Sequence, residues 1–269
     1  KVNKNELSIY KDLVNNGKVQ IQHGLNYTVK IIAKDFTGNM SSVEIPIVGK
    51  KSNTLFKKEK DTTAYKIIAS DFQKFTKENI TIAFPKNTFY KDVYLDFKVD
   101  KGIAKIHRPT IPLHKNYTLT FNVSNYSEEE KEQLYIANLE YVKYPRYVYT
   151  RKKDSIFYTT TKTLGDYSLK FDAKKPKVNI LYIKDKQWIT SSKTLKVAII
   201  DVDSGIKNWQ ATLDGEWVLM HYNHKKNILT YKFSDNKLAG SKHIFKIVVS
   251  DNVGNTTERS ITFFKKQGE

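Results

Sequence analysis

Cysteine is absent from the chain, so neither disulfides nor thiolate metal sites hold it together, and any redox compartment would suit it. Arginine is scarce as well: Arg108, Arg146, Arg151 and Arg259 are the only four among 46 basic residues, in a chain of formal net charge +18. Bidentate recognition of phosphates and base edges relies on the guanidinium fork. The charge therefore argues against a nucleic-acid reader and describes a solvated lysine surface, with weak attraction to an anionic polymer or a membrane surface as the remaining role. No apolar run approaches the ~18 residues of a membrane-spanning helix. Glycine-rich phosphate loops, the nucleophile elbow, His-Glu-x-x-His and His-x-His are all missing, so no catalytic constellation is legible within these residues. Of the six histidines, only His221 and His224 stand close together. At a spacing of three in a strand they would project from opposite faces and could not share a metal unless a turn intervened.

What the chain does have is strand sequence. Hydrophobic residues make up 39% and aromatic residues 13% of 269, enough for two or three buried cores. One stretch is written twice. "YTVKIIAKDFTGNMSSVEIPIV", residues 27–48, aligns at an offset of 216 with "HIFKIVVSDNVGNTTERSITFF", residues 243–264. The offset stacks Ile31 on Ile247, Asp35 on Asp251, Gly38 on Gly254, Asn39 on Asn255 and Ile45 on Ile261. Alternating apolar residues flank an Asp-x-x-Gly-Asn turn, which is the signature of a β-hairpin. Asp35 and Asp251 are expected to accept backbone N–H groups of their own turns, while Gly38 and Gly254 take positive φ and Asn39 and Asn255 close the reversal.

Short strands with regular turn signals predict an all-β chain of tandem immunoglobulin-like or fibronectin-like sandwiches. Residues 1–50, with strands at "ELSIY" and "GKVQIQ" before the hairpin, read as the closing strands of an incomplete sandwich. Lys1 stands where Met would begin a chain, no signal peptide is evident, and the opening strands are expected upstream. Residues 52–173 read as a middle sandwich, with Phe89 and Tyr90 at a turn and "DSIFYTTTKTLGDYSLKFD" as a hairpin turning near Gly165. The acidic "NYSEEEKEQLY" predicts a single helical turn after Ser124 or Ser127. Residues 174–266 read as a C-terminal module of about seven strands, with a hairpin at Asp214-Gly215 and Trp209 and Trp217 against the core or its rim.

Two further stretches are candidates for binding. "DVDSG", Asp201–Gly205, has the look of a calcium loop, with Asp203 and Asp251 as companions. Calcium takes about six or more oxygens, no further Asp or Glu is evident, and turn capping is the expectation. "YVKYPRYVYTRKK", residues 141–153, places Tyr141, Tyr144, Arg146, Tyr147, Tyr149 and Arg151 together. That set is either a half-exposed strand or a surface for a glycan or protein partner.

"SGIKNWQATLDGEWVLMHYNHKKNILTYKFSD", "KHIFKIVVSDNVGNTTERSITFFKK", "FPKNTFYKDVYLDF", "TLGDYSLKFDAKKPKV" and "GLNYTVKIIAKDFTGN" together resemble the C-terminal region of Bacteroidota cell-envelope proteins. In these, a lysostaphin-type zinc peptidase is followed by immunoglobulin-like modules. The resemblance implies a cell-envelope location, periplasmic or associated with the outer membrane and including the cell surface. It implies partners among envelope proteins or peptidoglycan, and no nucleic acid. It also implies that zinc belongs to an upstream peptidase domain and that this chain holds no cofactor, because the peptidase's His, Asp and His-x-His ligands have no match here. The alternative is a stand-alone adhesion or complex-building protein that binds a protein or glycan and has no active peptidase.

Overall fold

The computed structural model describes residue 14 and residues 19–51, 65–140, 143–189, 191–235 and 238–265. The chain divides into two compact units, residues 1–60 and 61–269. In the first, β1 (Asn26–Lys34) and β2 (Met40–Val48) form an antiparallel hairpin in which Ile31 faces Val43 and Val29 faces Ile45. "ELSIY" lies outside the described residues, and so do the first two residues of "GKVQIQ". Residues 19–22 form no strand, contrary to expectation. The last of them, Gln22, enters a turn instead: its carbonyl accepts from Leu25 N, and its N–H donates to the Tyr27 hydroxyl at 3.0 Å. Gly49 closes on this turn, where a Cβ would fall 1.8 Å from the Gln22 carbonyl oxygen.

The second unit opens with β3 (Tyr65–Ile67), β4 (Gln73–Lys77), β5 (Ile80–Phe84), β6 (Val93–Leu95), β7 (Phe97–Asp100), β8 (Ile103–Ile106) and β9 (Tyr117–Asn122). There follow α1 (Glu128–Gln133), β10 (Leu134–Asn138), β11 (Arg146–Val148), β12 (Arg151–Lys153), β13 (Ile156–Thr161) and β14 (Gly165–Phe171). Two five-stranded sheets, β11-β10-β14-β8-β7 and β12-β13-β9-β5-β4, face each other, with β3 pairing β6 beside them. Strict alternation dictates this sandwich. Ile80, Ile82 and Phe84 of β5 and Tyr117, Leu119 and Phe121 of β9 turn inward against Phe97, Ile106, Ile136 and Tyr167 of the facing sheet.

The capping residues set α1. The Ser127 hydroxyl accepts from Glu130 N, and the Glu130 carboxylate accepts from Ser127 N at 2.8 Å, a reciprocal capping box. At the other end the Lys152 ammonium donates to the carbonyls of Lys131 and Glu132 at 2.8 and 2.6 Å.

One expectation for this sandwich needs correction. Strands β13 and β14 do not pair with each other: β13 joins β9 in one sheet, and β14 joins β8 and β10 in the other. The segment is an arch across the core, because Leu164 is buried and the Thr163 carbonyl accepts from both the Tyr117 and Tyr167 hydroxyls. Phe89 is a core residue that stacks edge-on against Phe84, while Tyr90 remains exposed.

The C-terminal sandwich comprises β15 (Lys177–Leu181), β16 (Gln187–Trp188), β17 (Thr194–Ile200), β18 (Ile206–Leu213), β19 (Glu216–Trp217), β20 (His221–Asn223), β21 (Ile228–Lys232), β22 (Lys242–Asp251) and β23 (Thr256–Phe264). Its sheets run β15-β17-β21-β20 and β16-β23-β22-β18-β19. There are nine strands where sequence suggested about seven, because β16 and β19 are two-residue edge pieces. Leu195, Val197 and Ile199 of β17 and Leu229 and Tyr231 of β21 pack on Phe245, Ile247 and Val249 of β22. Trp209 packs against this core, but Trp217 stands largely in solvent. The chain is thus a set of tandem immunoglobulin-like or fibronectin-like sandwiches. No helix among the described residues is long and apolar enough to cross a membrane.

Candidate functional site at the junction of the two sandwiches

Strand β10 breaks the alternation, being buried on both faces. Leu134 and Ile136 enter the middle core, while Tyr135, Ala137 and Leu139 form a separate cluster with Tyr147 and with Val253 of the C-terminal sandwich. The outer face of one sandwich is therefore the floor of a junction with the next. "LYIA" is a continuous apolar run, the sequence signal of a strand covered on both sides.

Above that floor, residues 172–176 cross between the modules, and Asp172, Lys174 and Pro176 are bonded along the way. Asp172 N donates to Gln133 O at 2.9 Å. Its carboxylate accepts from Lys174 N and Ser204 N, each at 3.0 Å. The Asn255 side-chain amide donates to Asp172 O at 3.0 Å and Lys174 O at 3.2 Å, and the Thr257 hydroxyl donates to Pro176 O at 2.6 Å. The Tyr135 hydroxyl donates to Asp203 O at 2.9 Å, and burial with the carboxylates of Asp203, Asp172 and Asp201 pushes its pKa well up.

Here three carboxylates converge. One oxygen from each of Asp172, Asp201 and Asp251 lies within 4.8 Å of the others; Asp172 and Asp251 are buried and Asp201 half-buried. Asp201 Oδ1 accepts from Asp203 N at 3.1 Å and Gly205 N at 2.7 Å. Asp251 Oδ1 accepts from Val253, Gly254 and Asn255 N, and Oδ2 from the Asn255 amide at 2.8 Å. Burial raises the Asp201 pKa, opposed by the Gly205 N–H and reinforced by Asp172 and Asp251.

The sequence pointed to the right loop but to one wrong companion. Asp203 turns away to a salt bridge with Lys174 at 3.0 Å, and the third carboxylate is Asp172. Asp172 was invisible as a ligand candidate because it closes β14 and reaches the loop only through module packing.

The N-terminal copy of the turn repeats most of these hydrogen bonds without the neighbours, with Gly38 N donating to the Asp35 backbone carbonyl rather than to its carboxylate. Asp35 Oδ1 accepts from Thr37 N at 3.0 Å and Asn39 N at 2.9 Å, and Oδ2 from the Asn39 amide at 2.8 Å. The Asn39 and Thr37 side chains lower the Asp35 pKa, and this carboxylate is fully exposed. Gly38 and Gly254 have φ of 98° and 105°, the left-handed region that favours glycine.

The tyrosine-rich stretch does not form one platform, because β11 and β12 belong to different sheets. Tyr141 lies outside the described residues. Tyr147 packs on Tyr135 with ring centroids 5.6 Å apart, at the junction. Tyr144 is exposed beneath the Lys143 ammonium. Arg146 is exposed on β11. The Arg151 guanidinium lies over Tyr149 and Tyr158 at 5.3 and 5.8 Å, an exposed cation–aromatic group.

Elsewhere, His224 follows β20 in a turn, and both His221 and His224 are exposed. His243, fully buried, places Nδ1 2.7 Å from Asp214 Oδ2, and Asp214 Oδ1 accepts from Ile244 N at 2.7 Å. This pair pins the Asp214-Gly215 turn to β22, a role hidden from sequence because the two residues stand 29 positions apart.

The architecture and the junction define a tandem β-sandwich protein. Within it, residues 65–172 match the model of the Zu5-like domain. No curated protein matches the chain in sequence. Among solved structures, the fibronectin(III)-like modules of Clostridium thermocellum CbhA show 12% identity and a TM-score of 0.28, over 57% of this chain and 86% of that chain. Dimeric latent PorU from Porphyromonas gingivalis shows 12% identity and a TM-score of 0.31, over 58% of this chain and 22% of that chain. The endo-β-1,4-mannanase from Thermotoga petrophila shows 11% identity and a TM-score of 0.30, over 36% and 21%. The matched part is thus about a fifth of the mannanase and of PorU.

Proposed function

We propose that this chain is the non-catalytic β-sandwich tail of a lysostaphin-like cell-envelope metallopeptidase, a spacer and docking surface that holds an upstream domain against the envelope. The observation that carries the reading is the junction. A flexible tether would leave residues 172–176 solvated, whereas here their backbone is bonded into both sandwiches. A stiff link suits a part whose task is to set distance and orientation. The peptidase association comes from the sequence resemblance, and the Zu5-like match and the sandwich architecture are consistent with a tail of this kind.

The purified chain should release no muropeptides from peptidoglycan and contain no stoichiometric zinc by elemental analysis. In cells it should fractionate with the envelope. Muropeptide release, or one zinc per chain, would overturn the reading. A stand-alone adhesive role is favoured by the exposed Arg151 and Tyr149 beside half-buried Tyr158. The upstream coding sequence separates the two: an intact His…Asp and His-x-His set supports the peptidase tail, and its absence supports the adhesin.

A further inference from the structure

We propose that Asp172, Asp201 and Asp251, together with Ser204, form a calcium site that locks the middle sandwich to the C-terminal one. This goes beyond the spacer reading and does not depend on which upstream domain is present.

The spacing admits calcium. One oxygen from each carboxylate lies within 4.8 Å of the others, and an ion with Ca–O distances of about 2.3–2.6 Å spans ligand oxygens up to ~5 Å apart. Magnesium demands near-ideal octahedral geometry and sheds its water reluctantly, so an all-protein cage of this kind suits calcium better. The donors are all oxygen, with neither imidazole nor thiolate in the cluster, which disfavours zinc and copper.

A second feature, independent of the acids, points to the same place. Ser204 is buried to 1% exposure, and its hydroxyl has no hydrogen-bond partner. The residue is strung between two of the carboxylates: its own N–H bonds Asp172 Oδ2 at 3.0 Å, and the next N–H bonds Asp201 Oδ1 at 2.7 Å. A buried hydroxyl left unbonded is costly, and a cation at the cluster would give this one a partner. The lysine at this pole does not neutralise the three acids by contact, since Lys174 spends its hydrogen bond on Asp203.

The ligands come from both modules. Asp172 follows β14 of the middle sandwich, and Asp201, Ser204 and Asp251 lie at one pole of the C-terminal sandwich. A bound ion would therefore tie the two together.

The test is calcium titration of the full chain, by calorimetry and by thermal unfolding in EDTA against 10 mM CaCl2 or MgCl2. We expect a Kd of about 10⁻⁴–10⁻³ M, the range of extracellular calcium modules, and a calcium-specific rise in Tm of about 5 °C or more. Asp201→Asn keeps an oxygen for the Asp203 and Gly205 N–H groups but removes the charge, and should weaken binding about tenfold or more. Terbium emission sensitised through nearby Tyr135, and quenched by added calcium, reads the site in the unmutated chain should the variant fail to fold. No calcium-dependent Tm shift and no terbium emission would overturn the proposal. So would an equal shift with magnesium, or an equal calcium affinity in Asp201→Asn.

Discussion

Replacing Ile247 with Asp unfolds the C-terminal sandwich, whereas the same replacement at Ile31 leaves the calorimetric transition of the full chain within about 1 °C of its original midpoint. The two isoleucines are the same position of the repeated hairpin. The register agrees residue for residue, with Ile31 opposite Val43 and Ile247 opposite Arg259 at the offset of 216. Their surroundings differ: Ile247 is 0% exposed among Phe245, Val249 and the facing sheet, and Ile31 is 52% exposed. A carboxylate at position 247 would be buried without a partner, a change costing about 4 kcal/mol or more. At position 31 it would stand in water.

The comparison extends along the whole face. Tyr27, Val29, Ile31 and Ala33 with Ile45 and Ile47 occupy the places that His243, Phe245, Ile247 and Val249 with Ile261 and Phe263 fill in the C-terminal module. There β17 and β21 cover the face. The first hairpin therefore carries an apolar face written for a partner sheet that is absent among the described residues, and a two-stranded hairpin on its own is at best marginally stable. Residues 1–50 expressed alone should show no cooperative melt by circular dichroism. A Tm loss for Ile31→Asp as large as that for Ile247→Asp would mean that this face is covered in the chain and that the two hairpins are equally buried.

Much of the architecture was legible because alternation is a local property. β5, β9, β17 and β22 each announce a buried face in their own residues. What escaped was whatever depends on which sheet a strand joins. β13 and β14 read as a hairpin because they are adjacent in sequence and alternate, yet the buried corner at Leu164 sends them to opposite sheets. β10 carries the continuous apolar run of a strand covered on both faces, but nothing local says that the neighbouring module covers the second face. The carboxylate cluster was half legible for the same reason. "DVDSG" is a visible acidic loop and Asp251 a visible turn residue, but Asp172 joins them only once the modules dock.

Replacing Asp251 with Ala should destabilise the C-terminal sandwich by about 2–4 kcal/mol in urea unfolding, because three backbone donors lose their acceptor at one position. Val253, Gly254 and Asn255 donate to the same Oδ1 at 3.0, 2.7 and 2.8 Å, and the residue is fully buried. Water cannot readily replace a carboxylate there. The loss also reaches the linker, since the Asn255 amide that bonds Asp251 Oδ2 is the one that holds Asp172 O and Lys174 O. Asp251→Asn, whose amide oxygen can still accept from the three N–H groups, should recover most of the stability in EDTA. At the N-terminal copy, Asp35→Ala removes the bonds from Thr37 N and Asn39 N in an exposed turn, where water takes them over. Its effect should appear as faster amide exchange at Thr37 and Asn39, with no change in the C-terminal transition. The pH dependence of that turn follows the lowered Asp35 pKa: its carboxylate bonds are intact above the unfolded value of 3.8 and are lost as pH falls through the lower folded value. An Asp251→Ala chain that unfolds at the same urea concentration as the unmutated one would show that the buried carboxylate does not hold the turn.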